Sequence, residues 1–157
     1  MLAADCLRKS ELFEGLDESQ LNGLLAHSKV ESFPVGKIIF HQEEEATHLY
    51  LLIEGAVDLS VQAQEEPGLV TSHVQKEGAI FGTPSLLEPF RHRVTARCIL
   101  PVKALSIESF FLREKMAEDP KMGMRIMKKL ALLYYDRLTD LRKGVVNFFK
   151  VIQMQTP

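Results

Sequence analysis

The sequence predicts a mainly β fold: an antiparallel β-roll of the jelly-roll type, with N-terminal helices and a long C-terminal helix. Short runs rich in strand-forming residues follow one another between residues 37 and 107, separated by polar turns that carry Gly or Pro. Apolar residues at helical spacing precede this region and resume after residue 109. We therefore expect an N-terminal helical segment at 1–30, the roll at 31–108 and C-terminal helices at 109–157.

The N-terminal segment has the pattern of a helix over residues 4–28, where Leu and Phe recur at helical spacing and Gly15 interrupts the run. Asp17 is the expected N-cap of the part that follows, and Gln20, three residues on, completes a capping box. Pro34 and Gly36 then mark the change from the helical period to the strand period.

The strands of the roll are predicted from alternation and from strand-forming residues. Residues 56–61 alternate apolar and polar side chains with period two, which is typical of a half-buried strand. Residues 43–46 are expected to form a polar turn, and residues 62–68 a polar loop. The other expected strands lie at 37–40, 49–53, 69–74, 93–100 and 102–107.

The C-terminal region has two predicted helix starts. A short helix begins near residue 109, and a second begins where Asp119 serves as N-cap and Pro120 takes the first helical position. Gly144 predicts that this second helix ends or bends there. Apolar residues recur along it in steps of three or four, close to a heptad seam, at Met127, Leu130, Tyr134, Leu138, Leu141, Val145, Phe148 and Ile152.

Composition and charge describe an ordinary globular chain. The 157 residues carry a net charge of −2, with 46% hydrophobic and 25% charged residues, and predict one domain. The charge is uneven, because residues 1–120 hold 11 Lys/Arg against 19 Asp/Glu, whereas residues 121–157 hold 8 against 2. Such a basic tail is compatible with an acidic partner, a membrane surface or the acidic body itself. A solvated helix face is the simpler interpretation.

The expected location is the cytoplasm. Two cysteines, Cys6 and Cys98, make neither a disulfide framework nor a zinc site. No apolar run approaches the ~20 residues of a membrane span, and the N-terminus lacks the layout of a signal peptide.

Four segments, taken in order, resemble the cyclic-nucleotide-binding domain family over roughly residues 10–142. They are LFEGL at 12–16, FPVGKIIF at 33–40, LYLLIEG at 49–55, and GAIFG at 78–82 followed by RVTAR at 93–97. The resemblance implies an eight-stranded roll with helices at both ends and a regulatory role. The last segment, residues 78–97, resembles the phosphate-binding cassette of that family.

The family's cassette has a physical logic that this sequence keeps in part. In the family a Gly ends a strand, a Glu after it accepts a ribose hydroxyl, and an Arg about nine residues later binds the cyclic phosphate. A short helix also points its first N–H groups at the phosphate. Here Gly82 is present, but Thr83 replaces the Glu, and the Arg position falls on His92 when counted back from the next strand. The early-turn glycine is replaced by Glu43.

These residues define the predicted ligand site. Thr83 is the expected N-cap of the cassette helix, with Pro84 at its first position. The basic residues beside it favour a small anionic ligand, with a cyclic nucleotide as one candidate. An inward His92 would be mostly neutral near pH 7, and Arg91 and Arg93 could equally be surface strand residues. The predicted ligand-binding residues are Phe81, Gly82, Thr83, Ser85, Arg91, His92, Arg93, Thr95 and Tyr134, with no metal and no other cofactor.

A second hypothesis is a ligand-free interaction module in which the C-terminal helix does the work. Its apolar stripe (Leu130, Leu133, Tyr134, Leu138 and Leu141) would pair with a second copy to form a homodimer, as in the transcription-factor branch of the family. The alternative is that the stripe folds back on its own roll.

A third hypothesis, a transcription factor, is disfavoured. Residues 144–157 are too few for a three-helix DNA reader, so we expect no direct sequence-specific DNA binding.

The sequence does not predict an enzyme. It has no Gly-x-Ser-x-Gly elbow, no His-Glu-x-x-His and no phosphate-cradling Gly-Lys-Ser/Thr loop. Cupins share the jelly-roll layout and bind metal with a His-x-His pair, which the five histidines do not form.

If a ligand binds, the resemblance implies that the C-terminal helix closes over it as a lid, with Tyr134, Tyr135 and Thr139 as candidate contacts.

Overall fold

The computed structural model describes residues 3–62 and 68–156. It contains eight antiparallel strands in two four-stranded sheets, with helices at both ends, and so confirms the predicted β-roll. One sheet has the order β1-β8-β3-β6 and the other β2-β7-β4-β5. The strands are β1 (Ser28–Phe33), β2 (Ile38–Phe40), β3 (His48–Glu54), β4 (Val57–Val61), β5 (Leu69–Val74), β6 (Ile80–Phe81), β7 (Thr95–Cys98) and β8 (Val102–Glu108).

The strands that no residue pattern predicted are β1 and β6. β1 is an edge strand that pairs only with β8 and buries none of its residues fully, so it lacks an apolar signal. β6 has two residues, too few to show a period. The expected strand at 93–100 is shorter, because only Thr95–Cys98 pair with their neighbours. Most of the expected loop at 62–68 lies outside the described residues.

The N-terminal segment forms two short helices, α1 (Ala3–Lys9) and α2 (Glu18–Ala26), with a 3-10 turn at Glu11–Phe13 between them. The predicted helix over 4–28 is therefore interrupted between Lys9 and Glu18, which is a longer break than the one expected at Gly15. The capping box is confirmed, because Gln20 N donates to Asp17 Oδ1 at 2.8 Å and Asp17 N donates to Gln20 Oε1 at 2.9 Å.

Two apolar clusters share strand β3, and this explains its unbroken apolar sequence. Leu49 and Leu51 point to a cluster that the helices cover, together with Leu105 and Ile107 of β8. Leu52 points the other way, to a cluster between the two sheets. Because successive side chains of a strand alternate between its faces, a strand buried on both faces needs apolar residues throughout.

Two helices, α3 (Ser109–Glu118) and α4 (Pro120–Gln155), follow the roll. The predicted start of α4 is confirmed, since the Asp119 side chain accepts a hydrogen bond from Met122 N at 3.2 Å and Pro120 opens the helix. Of the prediction that the helix ends or bends at Gly144, the first alternative is wrong, because α4 runs past this residue to Gln155 and has 36 residues in all. Among the described residues, no helix combines the length and the apolarity that crossing a membrane requires.

Candidate ligand-binding site

A cavity of about 970 Å³ lies between the roll and α4. Its walls come from β4, β5, β6, the turn after β6 and one face of α4. Clefts of this size, lined by apolar side chains and a few polar groups, are the usual form of small-molecule sites. The residues that line the cavity include Val74, Lys76, Phe81, Gly82, Thr83, Arg93, Val94, Tyr134, Arg137, Leu138, Asp140, Leu141 and Val145.

Gly82 forms the floor of this cavity at the end of β6. Its φ of +78° lies in the left-handed region, which glycine adopts without strain. A Cβ at this position would also lie 2.9 Å from the carbonyl oxygen of His48 and 3.0 Å from the ring of Tyr50. Both facts require glycine here, independently of any ligand.

The turn after Gly82 is a 3-10 helix, Thr83–Leu86, and it corrects one prediction. Gly82, and not Thr83, occupies the N-cap position, and no side chain caps the helix. The hydroxyl of Thr83 points away from the helix's own N–H groups and lies 2.5 Å from the Tyr134 hydroxyl on α4. The side chain expected to cap the cassette instead joins the cassette to α4.

A second contact between α4 and the cassette comes from Arg137. Its Nη2 donates to the carbonyl oxygen of Ile80 at 3.2 Å, and its side chain is half-buried at the cavity wall. Burial lowers the pKa of the guanidinium because desolvation disfavours the charged form. Arg137 is not among the predicted ligand-binding residues, although it lies three residues after Tyr134 and hence on the same side of a helix.

His92 lies behind the cavity wall and does not line it. Its ring stacks on Phe40 with a centroid separation of 3.6 Å, and it is only 3% exposed. Among the described residues its Nδ1 has no hydrogen-bond partner. Burial lowers the pKa of His92 to about 4, so the imidazole is neutral at pH 7. A neutral ring in this place offers no charge to an anion.

The arginines on either side of His92 both contact Glu43 and both line the smaller of two cavities, but only Arg93 also lines the main one. Arg93 lines the main cavity, is 61% exposed and lies 3.7 Å from a carboxylate oxygen of Glu43. Arg91 lines a smaller adjoining cavity of about 360 Å³, and its Nη1 donates to Glu43 O at 2.9 Å. Glu43 has a φ of +72°, which explains why glycine suits this turn in the family. The predicted basic trio therefore contributes one cation, Arg93, to the main cavity.

Ser85 and Thr95 hold backbone in place and do not line the cavity. The hydroxyl of Ser85 accepts from Ser109 Oγ at 2.6 Å, and its carbonyl accepts from Arg113 Nη1 at 2.5 Å, so α3 anchors the cassette. Thr95 Oγ1 accepts from Gln42 N at 3.0 Å. Of the predicted residues, the structure brings together Phe81, Gly82, Thr83, Arg93 and Tyr134. That any of them binds a ligand stays a prediction.

Metal ligands and reactive cysteines are the other kinds of site to consider among the described residues. In the part of the chain that the structure describes, no three His, Cys, Asp or Glu residues cluster as metal ligands would. Cys6 and Cys98 are both free and buried. Burial raises the pKa of the Cys6 thiol to about 11, which leaves little thiolate for nucleophilic chemistry.

An eight-stranded roll with a hollow under a C-terminal helix is the architecture expected of a cyclic-nucleotide-binding domain. A comparison with protein families finds the model of the cyclic nucleotide-binding domain over residues 30–119, more than half of the chain. The chain therefore belongs to the cyclic nucleotide-binding domain family.

Two curated relatives are regulators by name. A CRP-like cAMP-activated global transcriptional regulator of Mycobacterium tuberculosis is 26% identical over 128 residues, covering 81% of this chain and 56% of the relative. A global nitrogen regulator of Synechococcus elongatus is 31% identical over 108 residues, covering 66% of this chain and 47% of the relative. The chain thus spans about half the length of the curated relatives it matches.

Solved structures agree on the fold. A Geobacter metallireducens protein with a proposed cyclic-nucleotide-binding role is 32% identical, with a TM-score of 0.72 over 88% of this chain and 99% of that one. A cyclic nucleotide-binding domain of Methylobacillus flagellatus has a TM-score of 0.75 over 92% of this chain and 80% of that one. At 17% identity the second likeness concerns the fold alone.

Proposed function

We propose that this chain is a sensor module that binds a small anionic ligand between the cassette and α4 and signals through α4. The observation that supports it is the composition of the cavity wall, which joins the cassette turn at Gly82 and Thr83 to Tyr134 and Arg137 of α4. A ligand seated there touches both parts at once. Arg93 and Arg137 give this hollow the positive charge that an anion needs.

The signal would be a change in how firmly α4 lies on the roll. A ligand shifts such an equilibrium only by its difference in affinity between the docked and undocked helix. A ligand that contacts α4 and the cassette together has this difference, because undocking removes its contacts with α4. The Thr83–Tyr134 hydrogen bond lies across the interface that would move.

Cyclic nucleotides are one candidate, and the site would bind them weakly. The ribose-binding carboxylate of the family is replaced by Thr83, whose hydroxyl already pairs with Tyr134. His92, at the family's arginine position, is neutral and lies outside the cavity lining. Arg93 is then the cassette's remaining cation for a cyclic phosphate.

Calorimetric titration with cAMP, cGMP and cyclic dinucleotides tests this proposal. We expect binding that Arg93→Gln weakens about tenfold, which is typical for a hydrogen bond to a charged group. Arg97→Gln, an exposed arginine on β7 that does not line the cavity, is the matched control and should bind as the parent does. Hydrogen exchange at saturation should slow in residues 110–150. Unchanged exchange there despite full occupancy would rule out signalling through α4.

A second candidate function is a ligand-free interaction module that forms a homodimer through α4. It is supported by apolar side chains that α4 exposes beyond Leu130: Leu138, Leu141, Val145, Phe148 and Ile152. Leu130 itself is buried in the protein's own core, so the predicted stripe is divided. Its first part folds back on the roll. In its second part Leu138, Leu141, Val145 and Phe148 also line the cavity, but without a ligand they stay exposed and, with Ile152, could contact a partner.

A further inference from the structure

The cavity between the roll and α4 is more apolar than a site for a nucleotide phosphate and ribose requires. Val74, Phe81 and Val94 line it from the roll, and Leu138, Leu141 and Val145 line it from α4. Its volume of about 970 Å³ is at the upper end of the range for small-molecule sites. Such a wall favours a ligand with a large apolar body.

Among the described residues of this wall, Arg137 is the half-buried cation, whereas Lys76 and Arg93 are exposed. Arg137 donates a single described hydrogen bond, to Ile80 O, although a guanidinium has five N–H donors. Among the described residues no carboxylate oxygen lies within 4.0 Å of it, and Asp140, which lines the same cavity, is exposed to solvent. A half-buried charge without a counter-ion is costly, and an anion in the cavity would remove that cost.

The polar groups that would hold a ribose and a cyclic phosphate are otherwise engaged. Thr83 pairs with Tyr134, and His92 stacks on Phe40 outside the lining. The cation nearest the cassette, Arg93, is exposed and lies beside Glu43. The remaining half-buried and buried lining is therefore mostly apolar, with Arg137 and Ser72 as its polar residues.

We propose that this hollow takes an amphipathic carboxylate, with its acid group on Arg137 and its apolar body on Phe81, Val74 and Leu141. This inference rests on the sensor function proposed above and names the ligand class of the same site. A planar, bidentate carboxylate matches the donor pattern of a guanidinium better than that of an ammonium group.

Titration of the whole chain with hexanoate, octanoate and decanoate, each below its micellar concentration, tests the ligand class. We expect one molecule per chain and an affinity that rises roughly threefold for each added CH₂, since each buried methylene contributes a constant increment. Decan-1-ol, which has the same chain without the charge, should bind at least tenfold more weakly than decanoate. Equal binding of the alcohol, or no dependence on chain length, would overturn the proposal.

Variants of α4 then locate the site. Arg137→Gln should weaken decanoate binding about tenfold and leave decan-1-ol unaffected. Arg142→Gln, on the same helix but away from the cavity lining, is the matched control. Leu141→Ser should weaken both ligands, whereas Leu132→Ser, also exposed but not lining the cavity, should weaken neither. Equal decanoate affinity in the parent and in Arg137→Gln would contradict the assignment.

The outcomes also separate this inference from the sensor function. If cyclic nucleotides bind and slow exchange in α4 while the alkanoates do not bind, the ligand class is wrong and the sensor function stands. If neither class binds, both proposals fail. Decanoate binding that depends on Arg137 but leaves exchange in α4 unchanged would keep the site and refute the signalling.

Discussion

His92 illustrates, at the scale of a single residue, how burial removes a charge that the sequence allows. The ring stacks on Phe40, and its Nδ1 has no partner among the described residues, so protonation would place an unpaired charge in an apolar site. The pKa therefore falls from an ordinary value of 6.5 to about 4. A neutral His92 would therefore not supply the charge of the arginine that the resemblance places at this position.

The lowered pKa of His92 predicts a dependence of stability on pH. Between pH 4 and pH 6.5 the unfolded chain binds the proton that the folded chain excludes, so the free energy of unfolding falls as the pH falls through this window. From pH 7 to pH 5 the loss from this residue should be about 2 kcal/mol. Urea unfolding at the two pH values measures it.

The matched variants for this measurement are His92→Phe and His41→Gln. His92→Phe keeps a ring against Phe40 and has no proton to bind, so most of the difference between the two pH values should disappear. His41 is exposed, and His41→Gln should preserve the difference. A pH dependence that survives in His92→Phe would assign it to other groups.

Helix α4 carries two different surfaces along its length. Its first turns bury Met122, Ile126 and Leu130 in the helix-covered core. Beyond Leu130 no residue of the helix is fully buried. Hydrogen bonds from individual side chains connect this part of the helix to the roll. The contacts of Tyr134 with Thr83 and of Arg137 with Ile80 are then the polar connections between α4 and the cassette.

The Tyr134 hydroxyl should therefore stabilise the docked helix. Tyr134→Phe removes one hydrogen bond, which contributes about 1 kcal/mol, or roughly a fivefold change in an opening equilibrium. We expect faster hydrogen exchange in the middle of α4 with little change in its first turns. Tyr135→Phe, whose ring is exposed one position further on, is the control. Equal exchange in both variants would show that the Thr83–Tyr134 bond does not stabilise docking.

The whole molecule has an exposed apolar stripe on the second half of α4, from Leu138 to Ile152. If the stripe forms a homodimer, light scattering at micromolar concentration should give twice the mass of the chain. Ile152→Asp should then produce monomers, because it places a charge in the stripe without touching the cavity lining. Met154→Asp, on the opposite side of the helix, should remain dimeric. A monomeric parent chain would exclude the dimer.

Local patterns predicted the order of the elements well, for reasons that particular residues make clear. Asp17 with Gln20, and Asp119 with Pro120, form helix caps. Their hydrogen-bond partners lie within a few residues along the chain, so a local sequence pattern is enough to predict them. Gly82 was recognised from the resemblance to the family's cassette, and the structure supplies the reason, since a left-handed φ and a crowded backbone both require glycine there. The expectation that the helix ends at Gly144 failed because the intrinsic cost of one glycine in a helix is small compared with the cooperativity of a long helix.

The sequence by itself determined the β-roll and its flanking helices, because periodicity, caps and turns depend on neighbours along the chain. The resemblance of four segments indicated the family, which the match over residues 30–119 confirms. Only the tertiary structure decided which side chains share the hollow. Thr83 meets Tyr134 across 51 positions of sequence, and His92 turns toward Phe40 while Arg93 turns toward the cavity. Such choices depend on how distant elements pack, and packing is a property of the assembled core.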